Sequence, residues 1–183
     1  MATLSKTVTY EEWLQMPITQ DAIEEVVNGE IRIMPPNKSP HPELILALQI
    51  AFLPVLDHKN TLFISSTFGL VVRRMPLTCR NPDVAVFDRA TVVIRDGYYH
   101  SAPQLIIEVL SPSETPKEIA EKLRDYESIG VPEVWLFDPE PETVAVLELR
   151  NGKLERVALL SEGILTPKHF PAVQIRISEI WPE

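Results

Sequence analysis

Apolar and polar positions alternate in short bursts along the chain, and the bursts are separated by turn residues. Thr9-x-x-Glu12 is a capping-box pattern and predicts a short helix over about Glu11 to Met16. Ala22–Val27 and Glu30–Met34 are brief apolar-rich runs joined by Asn28-Gly29, a dipeptide suited to a two-residue hairpin turn. From Ser39 to about His58, Leu44, Ala47, Leu48, Ala51, Phe52 and Val55 recur at helical spacing, and Pro54 ends or kinks that helix. Leu62–Ser65, Leu70–Arg73, Asp83–Phe87 and Leu105–Leu110 read as strands, rich in Val, Ile and Phe. Thr115-x-x-Glu118 opens a second capped helix, which Gly130 should terminate. Glu133–Phe137 is a further strand. Thr143–Leu149 and Lys153–Leu160, joined by Asn151-Gly152, form a second hairpin, and Val173–Ile177 reads as a last strand before Ser178–Trp181. Strands, helix and more strands within 183 residues predict one α+β (α/β-like) domain over 1–183, with a mixed sheet.

Two carboxylates break this pattern. Glu108 lies within Leu105-Ile106-Ile107-Glu108-Val109-Leu110, a run apolar at every other position. Such a run reads as a strand covered on both faces. An ionised carboxylate buried there must be paired, protonated or bound to a metal, unless it sits at a strand end near water. Asp83 follows Pro82 and opens Val84-Ala85-Val86-Phe87; alone, Asn81-Pro82-Asp83 is also ordinary turn chemistry. Together the two carboxylates suit a hard cation such as Mg²⁺.

Lys122 is the third anomaly. On a helical wheel it falls between Tyr126 and Ile129, inside the stripe formed by Ile119, Leu123, Tyr126 and Ile129. Its ammonium either snorkels to solvent or enters the same polar pocket as Glu108. Tyr126, one turn later, reads as a packing residue. His41 serves either a helix cap or a phosphate or carboxylate partner.

Asn81-Pro82-Asp83, 24 intervening residues and then Glu108-Val109-Leu110 resembles the PD-(D/E)XK signature of restriction-endonuclease-like nucleases. More narrowly, the chain resembles the restriction-endonuclease-like family of uncharacterised bacterial proteins that is much expanded in cyanobacteria. Glu25-Val26-Val27-Asn28-Gly29-Glu30, His41, Pro82-Asp83-Val84, Glu108 to Ser113, Lys122-x-x-x-Tyr126 and Gly130 to Trp135 carry the resemblance in order. It implies a restriction-endonuclease-like core with a mixed β-sheet flanked by helices, with an N-terminal and a C-terminal hairpin. It also implies a Mg²⁺ site, with Mn²⁺ as substitute, held by Asp83, Glu108 and the Val109 carbonyl. Glu25 and Lys122 would complete the catalytic set. Leu110 stands where the general signature has lysine, and Lys122 on the helix takes that place. Val134, Glu118 and Asn28 depart from the family's usual tyrosine, aspartate and aspartate.

Composition changes this picture at three points. No run approaches the roughly 20 apolar residues of a membrane span, and the first residues lack a secretory h-region, so a cytoplasmic location without membrane contact is expected. One cysteine, Cys79, cannot form an internal disulfide. The formal charge of −9 argues against a nucleic-acid partner, because such domains are usually basic. Residues 58–103 reverse the sign locally, with six cations against three carboxylates. Arg73, Arg74 and Arg80 precede Asp83 there and are candidate phosphate contacts; scattered solvated arginines are the alternative. No P-loop and no GxSxG elbow is present.

The functional expectation is therefore a Mg²⁺-dependent endonuclease cutting DNA, or another nucleic acid, as a homodimer. The alternatives are a catalytically inactive nucleic-acid- or protein-binding module of the same fold, and a phosphoesterase acting on small nucleotides.

Overall fold

Local signals account for most element boundaries in the computed structural model, which describes residues 7–17, 23–34, 36–65 and 67–182. Thr9 and Glu12 close a complete capping box at the head of helix α1 (Tyr10–Trp13). Strands β1 (Ile23–Val27) and β2 (Glu30–Met34) pair antiparallel; the expected first residue of that hairpin, Ala22, lies outside the described residues. Asn28 and Gly29 both have positive φ, 53° and 82°, as a type I′ turn requires.

Helix α2 spans His41–Phe52. It is shorter than the predicted 39–58 because Pro54 cannot extend the backbone ladder. Leu44, Leu48 and Phe52 are buried, but Val55 lies past the helix end and is 45% exposed. Then come β3 (Thr61–Ile64), β4 (Leu70–Arg74), β5 (Leu77–Arg80), β6 (Val84–Asp88), β7 (Ile94–Arg95), β8 (Tyr98–Tyr99) and β9 (Leu105–Val109). Helix α3 (Pro116–Ile129) carries the second capping box and ends at Gly130 in the left-handed region. Strands β10 (Glu133–Asp138), β11 (Thr143–Arg150), β12 (Lys153–Leu160), β13 (Ile164–Leu165) and β14 (Ile175–Arg176) follow, with a 3-10 turn at Ile177–Glu179. Of the predicted tail strand, only Ile175 and Arg176 pair.

Six strands form the central sheet in the order β12-β11-β10-β9-β6-β3, and six more form a second sheet, β2-β1-β5-β4-β8-β7. The β9–β10 pair is parallel, joined over α3, while β9 and β6 run antiparallel. A parallel pair needs a crossover of this kind. The fold is mixed α+β, as expected. Both faces of the central sheet are covered. Leu44, Leu48 and Phe52 of α2 pack with Val84, Val86, Leu105 and Ile107. Tyr126 of α3 packs with Ala85, Phe87, Ile106 and Val134 on the other face. This double cover explains why the β9 sequence does not alternate. No helix among the described residues is long and apolar enough to cross a membrane.

Candidate functional site

The central strand β9 brings Glu108 to the α3 face of the sheet, on the side of Ile106, and leaves it 3% exposed. Helix α3 supplies its partners. The Tyr126 hydroxyl donates a short hydrogen bond to Glu108 Oε1. Lys122 Nζ lies 3.1 Å from Oε2 and 2.8 Å from Glu114 Oε1. Lys122 and Tyr126 are four residues apart, so one helix face presents both. Lys122 therefore points inward, and Tyr126 packs and also donates a hydrogen bond.

Burial pushes the Glu108 carboxyl up to about 7; Lys122 opposes the shift, and the Asp83 charge reinforces it. Burial works against the Lys122 ammonium, but the Glu108 and Glu114 carboxylates hold it above the ordinary lysine range. The Tyr126 hydroxyl is raised by burial and by the Glu108 charge, and so stays a donor.

Asp83 sits one residue before β6, not within it. The β6–β9 register pairs Val84 with Ile107, and one further step sets Asp83 opposite Glu108. The Val109 amide donates to Asp83 Oδ2 at 2.8 Å, and His41 Nε2 lies 2.8 Å from Oδ1. His41 thus meets a carboxylate at the head of α2, while the cap position itself is Pro40. Helices from opposite faces of the sheet converge on these two strand ends.

Glu25 and Arg80 form a separate cluster. Both are 2% exposed. Arg80 Nη1 donates to Glu25 Oε2 at 2.8 Å, and Arg80 Nη2 lies 2.7 Å from Asp125 Oδ2. Glu121 stands 3.6 Å from the same guanidinium and pairs with Arg32 of β2 at 2.7 Å. Glu25 Oε1 accepts the Asn81 amide at 3.0 Å. Arg80 is therefore an internal cation tying the second sheet to α3, which removes it from the expected phosphate contacts. Burial and three carboxylates consume its charge. Arg73 donates to the Pro76 carbonyl and to the side chains of Asn28 and Thr78. Arg74 pairs with Glu11 at 2.6 Å and lies over the Tyr10 ring. Glu25 bonds the backbone two residues before Asp83, and its charge also reaches Lys122 and Tyr126.

Among the described residues, no group of three or more His, Cys, Asp or Glu side chains is placed to hold a metal ion. Mg²⁺ needs less, since its sites commonly use one or two carboxylates, with water and phosphate completing the shell. The local charge count points the same way: Glu108 and Glu114 share the single ammonium of Lys122, and the Asp83 charge, itself held by His41 and the Val109 amide, also reaches Glu108. The oxygen donors and the negative excess fit a hard cation.

Sequence reasoning passed over the Tyr126 hydroxyl, Glu114 and Asp125. The spacing Lys122-x-x-x-Tyr126 was the available signal for Tyr126. Glu114, just before the helix, and Asp125 carry ordinary helix-surface signatures, so nothing in the pattern marks them.

An α+β fold with two carboxylates at adjoining strand ends and a lysine on the covering helix defines a nuclease-like class of protein. The chain belongs to the Uma2 family, described as "Putative restriction endonuclease", whose model matches residues 10–178. It is also similar in fold to a crystal structure from Anabaena variabilis ATCC 29413, described as "a putative nuclease belonging to DUF820". That match has a TM-score of 0.76 at 19% identity and covers 95% of this chain and 97% of the other. No curated protein matches the chain.

Proposed function

We propose that the protein is a Mg²⁺-dependent endonuclease that hydrolyses DNA phosphodiester bonds, acting as a cytoplasmic homodimer. The observation that carries this reading is Asp83, one step before β6 and bonded to the Val109 amide of β9, beside buried Glu108, with Lys122 on the second carboxylate. Asp83, Glu108 and the Val109 carbonyl would hold the cation. When bound, it lowers the pKa of a water and polarises the phosphoryl oxygen.

The chain's own groups do the rest. The Val109 amide and His41 fix Asp83, and Tyr126 fixes Glu108. Lys122 holds a positive charge where phosphate charge develops in the transition state. A cation at the carboxylates also reverses the sign of a site that would otherwise repel phosphate. Two-fold symmetry supplies one site per strand of a duplex.

The test is plasmid cleavage with Mg²⁺. Wild-type protein nicks or linearises the plasmid, and Glu108→Ala does not; equal inactivity of both proteins refutes the reading. A second reading, binding without hydrolysis, is favoured by one observation: each carboxylate already accepts two donors from the protein. Calorimetric titration with Mg²⁺ separates the two, since a purely binding module shows no saturable heat that Glu108→Gln abolishes.

A further inference from the structure

Glu108, Lys122 and Glu114 form a graded series from the interior to the surface, with side chains 4%, 14% and 20% exposed. Lys122 Nζ lies between the two carboxylates and nearer the outer one, 2.8 Å from Glu114 Oε1 against 3.1 Å from Glu108 Oε2. Among the described residues no other carboxylate pairs with it.

The two carboxylates are anchored differently. Glu114 belongs to the loop between β9 and α3, and that loop closes on itself. The Ser111 amide donates to Glu114 Oε2 at 3.1 Å, and the Glu114 amide donates to the Ser111 carbonyl at 2.9 Å. Its other oxygen, Oε1, takes the ammonium. Glu108 is fixed through Oε1 by the Tyr126 hydroxyl, and Lys122 bonds its Oε2. Taking the ammonium off Oε2 would leave Glu108 still oriented, with one oxygen open to a cation.

An ammonium and a metal cation at one carboxylate oxygen repel each other. The ammonium also needs a partner at all times, because a largely buried charge without one is costly. The neighbouring carboxylates are committed elsewhere: Asp83 to His41 and the Val109 amide, Glu25 to Arg80 and the Asn81 amide. Glu114 is the acceptor that remains. The flexible lysine stem, with three donors at its tip, can pass to it whole.

We propose that Glu114 is a positioning residue of the cation site, the counter-ion that receives Lys122 when Glu108 takes up its cation. The inference rests on the Mg²⁺ reading above and adds an exchange of partners to it. Without a cation Lys122 bridges both carboxylates; with one it bonds Glu114 alone, and Glu108 Oε2 is released. Glu114 acts through Lys122 and does not itself hold the cation.

The test is calorimetric titration with Mg²⁺ of the wild type, Glu114→Gln, Lys122→Met and the double variant. Glu114→Gln keeps an acceptor for the Ser111 amide and removes the charge that retains Lys122. It is expected to bind Mg²⁺ about 10- to 100-fold more weakly than wild type, the range for a residue that supports a metal ligand from behind. Lys122→Met, which lacks the competing ammonium, is expected to bind more tightly than wild type. In that background Glu114→Gln is expected to change the affinity by about 2-fold or less, as an uncoupled site would. A loss of equal size in both backgrounds overturns the proposal, because Glu114 then acts by its charge alone. Wild-type and Glu114→Gln proteins that bind Mg²⁺ equally well also overturn it, and leave the nuclease reading standing. Wild-type protein without saturable binding overturns both. Should Lys122→Met fail to fold, a crystal structure of the wild type with Mn²⁺ decides. Lys122 bonded to Glu114 alone supports the exchange, and Lys122 still on Glu108 Oε2 overturns it.

Discussion

Glu25 and Glu108 are both almost fully buried, yet their surroundings are built on opposite plans. Glu25 receives a guanidinium on one oxygen and a main-chain amide on the other. The same guanidinium meets Asp125, and Arg32 adds a second cation through Glu121. Arginine's rigid fork serves several carboxylates at fixed geometry. Glu108 has a phenol and a single ammonium, and that ammonium is shared with Glu114. Asp83 adds negative charge nearby. Two arginines tie three carboxylates into a clamp; at the other site one lysine is shared by two carboxylates, while Asp83 is held by His41 and the Val109 amide. The difference separates a cluster that holds the second sheet to α3 from the one where the cation is proposed.

Breaking the clamp has the largest expected effect. Arg80→Met leaves Glu25 and Asp125 without their guanidinium in a buried position. The cost is expected at about 3–5 kcal/mol, read as a lower urea midpoint at pH 7. Mutating Glu25 to Met as well should recover a large part of it, because the stranded charge is then gone.

The acidic pocket predicts a pH dependence instead. The folded Glu108 pKa, about 7, lies above the ordinary 4.5. A raised folded pKa gives stability that is fully present below about 4.5 and lost as pH rises through about 7. Wild-type protein without metal should therefore lose up to about 3 kcal/mol relative to Glu108→Gln over that window. Parallel pH-stability curves for the two proteins would break the comparison with Glu25. Added Mg²⁺ should raise the wild-type Tm at pH 8 but not that of Glu108→Gln, because binding the cation to the ionised carboxylate relieves its burial.

Much of this contrast was legible in the sequence. An unalternating apolar run containing one glutamate reads as a doubly covered strand with a buried acid, and Lys122 on the apolar stripe of α3 was a candidate partner. Capping boxes and Asn-Gly turns set the element ends for the same reason: their chemistry is local. Arg80 was not legible. Leu77-Thr78-Cys79-Arg80 alternates like an exposed hairpin strand, yet all four residues are buried because β5 lies between β1 and β4, a non-local fact. The arginine's partners come from positions 25, 121 and 125, which no spacing rule connects. Glu25, expected in the catalytic set, follows the same pattern. That its oxygens are both taken, by Arg80 and by the Asn81 amide, was not legible in the sequence.

Tyr126→Phe sharpens the picture at intermediate magnitude. It keeps the ring that packs with Phe87 and Ile106 and removes only the hydrogen bond to Glu108. The loss is expected near 1.5–2 kcal/mol above pH 7, where the acceptor is charged, and smaller at pH 5. Since Tyr126 lowers the Glu108 pKa, the pH window of the stability loss should move upward in the variant. An unchanged window would mean that the phenol only packs.

The smallest effects are expected at Arg73 and Arg74, where the clamp's logic gives way to surface chemistry. Arg74 spans an exposed ion pair with Glu11 and a cation–π contact with Tyr10, together worth about 1 kcal/mol or less. Arg73 is held by three hydrogen bonds within its own hairpin and to Asn28. A weak exposed pair can be exchanged for a phosphate at little cost, whereas three geometrically fixed bonds resist exchange. In salt-dependent DNA-binding assays, Arg74→Ala should therefore lower the slope of log K against log[salt] by about 0.7–0.9, one phosphate contact. Arg73→Ala should change it less, and Arg80→Met not at all. Equal slopes for wild type and Arg74→Ala would assign both exposed arginines to holding the β4–β5 hairpin against α1 and the β1–β2 turn.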